Sequence, residues 1–351
     1  MQNRYVFEVV DCTFRDVHED DRLFGGVVMC FCGDFRQILP IIPKGTRGQI
    51  VAACLKNSSL WQHIRVLRLT DNMHLLHPDL QPPKHEQQEN FGNQILAIGE
   101  GCTTINDKIQ WPMEGIIANN SIQSLTETVF PGLSNPNSPP PSSAYLADHV
   151  LLAPRNDTVT ELNKTLLNSM PGQVCTFRSA DKIIDDGGID IYPMEYLNSV
   201  DISNLPPHEL NLKVGAPIIL LRNLDPSAGM CNGTRMRVVW CGGRVIECEI
   251  LTGKHASQIV FIPRIPMSPS SSAELPFDFQ RTQFPLQLTF AITINKSQGK
   301  TLGRVGLVLD QPVFSHGQLY VALSRLTNYA NLHLIVPYGS PRGKTRKQLF
   351  L

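Results

Sequence analysis

The residues best equipped for chemistry lie close together near the C-terminal end of the chain. Between Thr293 and Thr301 the sequence packs Thr, Asn, Lys, Ser, Gln, Gly, Lys and Thr. Each can meet a phosphate or a sugar through a hydroxyl, an amide, an ammonium or a bare backbone N–H. The run Leu286–Ala291 precedes them and has the pattern of a strand. A polar cluster at the C-terminal end of such a strand, opening a short helix, is where α/β folds hold phosphorylated ligands. A further strand and helix follow, and that helix ends in Arg325. A guanidinium is always charged and donates in a fixed fork, which suits a transferring phosphoryl group. Far upstream, Val27–Cys32 (VVMCFC) is apolar throughout, as a central parallel strand is. It runs into Gly33, Asp34, Phe35, Arg36 and Gln37, which sets polar groups at the mouth of that strand. Alone, a Gly-Asp turn with a solvated arginine is ordinary.

These groups need elements to hold them. The chain has 351 residues, enough for two or three domains, and its 42% hydrophobic and 18% charged content suits a globular protein. Lys plus Arg equals Asp plus Glu at 31 each, so any nucleic-acid surface has to be a local basic stripe. No apolar run approaches the roughly twenty residues of a membrane span, and the N-terminus lacks a signal-peptide pattern. Nine cysteines without framework spacing argue for reduced thiols inside a cell, with Cys30 and Cys32 on one buried strand face. No CxxC pair supports a metal site. Arg4–Asp16 reads as a helix facing a core, and Ile50–His63 as an amphipathic helix. Arg65–Leu69 and His149–Ala153 read as strands, the latter followed by a helix over 158–170 with Asp157 as its cap. Pro131–Ser143 is Pro/Ser-rich and reads as a mobile loop. Short strands with turns at Asn232-Gly233 and Gly242-Gly243 suggest a small β-barrel. Its Arg222, Arg235 and Arg237 are either a nucleic-acid-facing patch or a merely solvated surface.

The runs TINKSQGKTL (293–302) and LYVALSRLTN (319–328) resemble motifs V and VI of superfamily 1 DNA helicases. More narrowly they are similar to the petite-integration-frequency (PIF) and RecD-like helicases, including those of Helitron transposons. GDFRQILPI (33–41) resembles motif III, and LTDNMH (69–74) resembles motif IV with His74 where the family has arginine. A neutral imidazole cannot reproduce a guanidinium fork. The resemblance implies an α/β fold of two RecA-like motor domains, the first partial, with an inserted SH3-like barrel. The implied divisions are 1–78 for the end of the first motor domain and 79–145 for a connecting region. The second motor domain takes 146–192 and 284–338, with the insert at 193–283.

The same resemblance implies an ATP-dependent 5′-to-3′ DNA helicase, a monomer, acting in repair, recombination, telomere maintenance or transposon replication, in the nucleus. Arg325 and Gln37 are then the catalytic pair. Gly33, Asp34, Gln298 and Gly299 join them around the nucleotide. Thr293, Asn295 and Lys296 are candidates for single-stranded DNA or duplex junctions, with Arg235, Arg237 and Asn156, although Asn156 also fits a plain turn. The family's ATP and Mg2+ need a GxxxxGK[ST] loop and an acidic pair. Gly299-Lys300-Thr301 imitates that loop, but the earlier glycine is replaced by Ile294. Gly339–Thr345 has one residue too few between its glycines. The sequence therefore reads as starting after motif II, unable to bind either cofactor fully alone. A non-catalytic nucleic-acid-binding remnant of a transposon helicase is the alternative.

Overall fold

The computed structural model describes residues 1–71, 82–102, 104–105, 108–110, 121–137, 140–184, 192–202, 205–269, 275–326, 328–335 and 344–346. Motif IV from Asn72 to His74 lies outside them. Helix α1 (Arg4–His18) opens at Asn3, whose side chain accepts from the Tyr5 N–H. Helix α2 (Arg47–Ala52) opens on a capping box between Thr46 and Gln49. Then come α3 (Pro82–Glu100), the short strands β1 (Thr104–Ile105) and β2 (Lys108–Gln110), α4 (Ile122–Val129) and α5 (Ser143–Asp148). Strand β3 (His149–Ala153) leads into α6 (Asn156–Ser169). A β-rich segment follows: β4 (Cys175–Arg178), β5 (Ala180–Ile184), α7 (Met194–Ser199), β6 (Glu209–Leu212), β7 (Pro217–Leu220), β8 (Arg235–Cys241), β9 (Val245–Ile250), β10 (Ile259–Pro263), β11 (Ile265–Met267), β12 (Asp278–Gln283) and β13 (Leu286–Leu288). The chain closes with β14 (Ala291–Thr293), β15 (Arg304–Val308), α8 (Gln318–Leu323), β16 (Leu332–Ile335) and β17 (Lys344–Arg346), which pairs with β2.

The central sheet is parallel, in the order β14-β3-β15-β16. Both its faces are covered, and alternation along β3 shows how. Val150 and Leu152 face one way, into a core with α3 (Phe91, Ile95, Ile98) and α8 (Leu319, Leu323). Leu151 and Ala153 face the other way, against α4 (Leu125, Val129) and α6 (Leu162, Leu166). Helices 82–100 and 122–129, in the stretch expected to connect two domains, thus pack on the two faces of this sheet. The Pro/Ser-rich stretch is anchored too: Leu133 is buried, and the Pro141 carbonyl accepts from Arg237 at 3.2 Å.

Antiparallel strands also flank the segment 193–283 that was expected as an insert. The strands run from Cys175 to Leu288 in three sheets, the largest in the order β10-β9-β8-β7-β13 and antiparallel throughout. The expected strand 286–291 is split between two sheets. β13 pairs antiparallel with β7 in the insert, and β14 pairs parallel with β3 in the motor. Thr289 N–H donates to Pro217 O at 2.9 Å, and Phe290 O accepts from Leu151 N–H at 2.8 Å, so the chain changes sheets within two residues.

The N-terminal part departs most from its sequence pattern. Val27–Cys32 and Arg65–Leu69 are extended but form no strand; Val28 is 95% and Leu69 102% exposed. Parallel strands need neighbours to satisfy their N–H and C=O groups. No strand among the described residues lies beside these two runs, and Cys30 and Cys32 are exposed rather than buried. The helix expected over 50–63 stops at Ala53. The Val51 carbonyl accepts from the Asn57 side chain at 2.6 Å, and two short 3-10 turns follow. α1 buries only Asp11 fully, whose carboxylate accepts from the Phe24 N–H at 2.6 Å.

Candidate functional site

The turn after β14 is short. Ile294–Ser297 makes one 3-10 turn where a short helix was expected. Ser297 is buried and bonds back to the Ile294 carbonyl at 2.7 Å, which closes the turn. Gly299 follows with φ +79°, a left-handed backbone that glycine adopts without strain. Thr293 lies buried at the end of β14, beneath the surface it was expected to form. Asn295 is oriented by Gln318, whose Nε2 donates to Asn295 Oδ1 at 3.0 Å. Gln318 is itself fixed, since its Oε1 accepts from the Phe314 and Ser315 N–H groups. Asn156 is exposed three residues beyond Ala153, the register partner of Thr293, so it shares the sheet edge that carries the turn.

The Gly33–Gln37 turn comes from the far end of the chain and meets these groups. Gln298 Nε2 donates to Gln37 Oε1 at 2.8 Å. Tyr320 OH, on α8, donates to Asp34 Oδ2 at 2.8 Å. Phe35 O accepts from His316 Nε2 at 3.0 Å, and because a carbonyl only accepts, that nitrogen carries the proton. Gly317 lets the two pieces touch: a Cβ there would lie 2.5 Å from the Arg36 oxygen. Arg36 spans Asp34 and Glu100, at 3.8 and 2.6 Å. Gly33 is exposed at the rim.

Arg325 follows the C-terminal end of α8. Its Nε donates to Val321 O at 3.0 Å, one terminal nitrogen to Lys300 O at 3.3 Å and the other to Ser324 Oγ at 2.8 Å. Burial lowers its pKa, and the nearby Tyr320 and Asp34 act in the opposite direction. Burial, then the Asp34 acceptor, pushes the Tyr320 hydroxyl up to about 12. Gln37, Gln298 and Arg325 are thus gathered around the turn after β14, through the Gln298–Gln37 bond and the Lys300 carbonyl. Tyr320 and His316 are the joint residues that sequence reasoning passes over. Their only signals are a tyrosine in an otherwise apolar helix and a histidine before a glycine.

Two arginines are corrected. Arg235 is 2% exposed and cannot face a ligand in solvent. Its guanidinium donates to Leu146 and Ala147 carbonyls at 2.9 Å, at the C-terminal end of α5, and to His149 and Thr289 carbonyls. Burial without a bonded carboxylate moves its pKa down to about 10. Arg237 pairs with Glu249 at 2.6 Å. The face of β8 carrying both lies under α5 instead of facing outward. A Mg2+ site is not built from the described residues. They hold no cluster of three metal-ligating side chains, and Asp34, the cleft carboxylate, already accepts from Tyr320 and the Arg36 N–H.

A parallel sheet covered on both faces, with a polar turn beyond one strand and an arginine after the next helix, defines a RecA-like motor lobe. A profile of the PIF1-like helicase family matches residues 1–109, and one of the DNA helicase Pif1 2B domain matches 195–240. The ATP-dependent DNA helicase PIF1 of Homo sapiens is 25% identical over 335 residues, covering 94% of this chain and 44% of that protein. The Campylobacter jejuni helicase Pif1 is 25% identical, covering 93% and 66%. Among solved structures, a Bacteroides Pif1 helicase in complex with ADP-AlF3 and ssDNA superposes with a TM-score of 0.63 at 21% identity, over 97% of this chain and 70% of that one. A structure of two coordinating Pif1 helicases at forked dsDNA gives 0.62 at 21% identity, over 96% and 67%. Along nearly its whole length the chain is similar to PIF1-like helicases, and two separate segments match models of that family. It spans about 44% of the length of the vertebrate relatives it matches.

Proposed function

We propose that this chain forms part of an ATP-dependent DNA helicase motor that moves 5′ to 3′ along one strand. One observation supports the reading: the turn after β14 joins Gln37, which accepts from Gln298 261 residues away at 2.8 Å, to Arg325, which donates to the Lys300 carbonyl at 3.3 Å. In this proposal Gln37 senses the terminal phosphate and Arg325 stabilises the charge developing on it. Gly33, Gln298 and Gly299 border the nucleotide, and Asp34 anchors the sensing turn to α8 through Tyr320. Asn295, Lys296 and Asn156 face the DNA strand. ATP is the substrate, and Mg2+ is supplied by groups beyond those described. The protein acts as a monomer on single strands and junctions. A nuclear, transposon-related setting, with roles in repair, recombination or telomere upkeep, is supported by the motif V and VI runs.

The reading is tested by joining the chain to a RecA-like lobe that carries a GxxxxGK[ST] loop and measuring DNA-stimulated ATP hydrolysis. Turnover that falls by about a thousandfold in Arg325→Ala supports it. Tight single-strand binding without turnover in the joined protein would favour the non-catalytic alternative.

A further inference from the structure

The outer face of the largest antiparallel sheet takes no part in the site above. Strands β8, β9 and β10 turn Val238, Ile246, Cys248, Val260 and Ile262 into the core beneath them. Facing the other way, Trp240, Glu247 and Phe261 form one row across the three strands, with Glu247 the register partner of both rings. Trp240 owes its place to a β-bulge. Val238 opposes Cys248, so in an unbroken ladder Val239 would oppose Glu247 and Trp240 would turn into the core. The bulge between Val238 and Trp240 adds one residue and re-aims the indole outward. There the ring leans over Gly242, where an added Cβ would meet it at 2.4 Å. Trp240 is 55% exposed, Phe261 59%, and Ile259, two residues back along β10, 47%. Large rings grouped in water mark an interaction surface. The two rings stand on either side of β9, about 9–10 Å apart at two strand spacings. A flat cation stacked between two rings needs roughly 7 Å between their planes. Glu247 lies at the floor of that gap, and among the described residues its carboxylate has no hydrogen bond or ion pair. The other charges on these strands are accounted for: Arg237 holds Glu249 at 2.6 Å, and Arg235 is buried under α5. The open face therefore carries one unmatched negative charge between two π faces, which also favour a cation. The same carboxylate repels a phosphate backbone.

We propose that the Trp240–Glu247–Phe261 row docks an arginine from an extended basic segment of a partner protein, its guanidinium stacked between the rings and paired with the Glu247 carboxylate. A guanidinium is planar, weakly hydrated and stacks on aromatic faces, whereas a lysine ammonium is a compact, strongly hydrated point charge. Among the described strands β10 is the edge of its sheet, so the row is open to a segment arriving from that side. The contact belongs to a different sheet from the turn after β14 and does not depend on the motor reading.

The test measures, by fluorescence anisotropy, binding of a labelled peptide of alternating serine and arginine to the 351-residue chain. The same peptide with citrulline or lysine in place of arginine runs beside it; citrulline keeps the shape and removes the charge. The arginine peptide should bind, the lysine peptide more weakly, and the citrulline peptide not measurably. Trp240→Ala and Phe261→Ala should each weaken the arginine peptide about fivefold. Glu247→Gln should weaken it too, and Glu247→Lys should abolish binding. Trp240→Phe, which keeps a ring, should retain most of the affinity, which separates the stack from any effect of the alanine variants on folding. Equal binding of the citrulline peptide, or a Glu247→Lys variant that binds as well as wild type, overturns the proposal. A fluorescent oligo-dT whose affinity falls in Trp240→Ala while that of the arginine peptide does not would make the row a base-stacking surface and overturn it as well. So would a dimer in sedimentation that Phe261→Ala dissolves, which would give the row to a second copy of this chain.

Discussion

Arg235 illustrates how far a residue's type can mislead about its surroundings. Alternation along β8 does put Arg235 and Arg237 on one face, as the sequence indicates. Nothing in that alternation says that α5 ends on the same face and turns its last carbonyls toward Arg235. Removing the guanidinium strands four buried carbonyls, so Arg235→Ala should cost about 3 kcal/mol of stability in denaturant unfolding. Its single-strand affinity should stay unchanged once the fold is secured; a selective loss of affinity would return Arg235 to the ligand surface. His149 gives a second expectation. Its ring stacks on Tyr145 at 4.0 Å, and burial lowers its pKa below the ordinary 6.5. The unfolded chain then takes up a proton near pH 6.5 that the folded chain refuses. Stability is full above that value and is lost as pH falls through the depressed folded pKa. His333 acts in the same direction. Thermal melts between about pH 7.5 and pH 5 should show a steeper acid decline for wild type than for His149→Gln. A parallel decline would show that this ring contributes nothing. Gln37, Gln298 and Arg325 stand out in the sequence through short motifs, and the first two meet in a 2.8 Å bond. Tyr320 does not, because its partner Asp34 lies 286 residues away.

Elements read well where both partners of a contact lie nearby in sequence or the burial pattern is strong. β3 and the start of α6 follow from their apolar periods within a residue or two. Val27–Cys32 reads as a buried strand because its composition is that of one, yet burial needs neighbours that composition does not supply. The split of 286–291 was hidden for a related reason: a continuous β pattern does not reveal that its two halves bond to different sheets. At the joint between the Gly33–Gln37 turn and α8 stands Gly317, whose close contacts no local pattern reveals. It has φ +73°, and the Arg36 and Gln37 carbonyl oxygens would stand 2.5 and 2.6 Å from any Cβ added there. Gly317→Ala should therefore cost at least ~1–2 kcal/mol and pry the Gly33–Gln37 turn away from α8. Hydrogen exchange would report this as faster exchange at the Gln37 N–H, which bonds to Asp34 O at 3.1 Å. Unchanged exchange there would mean that the turn holds its shape without α8.

At the scale of the whole molecule, charge and motif content set the limits of activity. In the proposed reading Arg325 and Gln37 serve the far side of a triphosphate, and the 351 residues contain no GxxxxGK[ST] loop for the near side. These residues by themselves are expected to hydrolyse no ATP above background, with or without DNA, in a phosphate-release assay. DNA-stimulated turnover by the purified 351-residue chain would show that another set of groups grips the phosphates. The α/β fold class was legible from motif order and turn chemistry. The pairing of β4 with β6 and of β5 with β12 was not, because those partners lie far apart in sequence. The crossing at Thr289 and Phe290 has a mechanical meaning. With only those two residues between β13 and β14, the linkage has no slack. A tilt of the insert would therefore pull directly on the strand that carries Thr293 and the turn beyond it, as a lever pulls on its fulcrum.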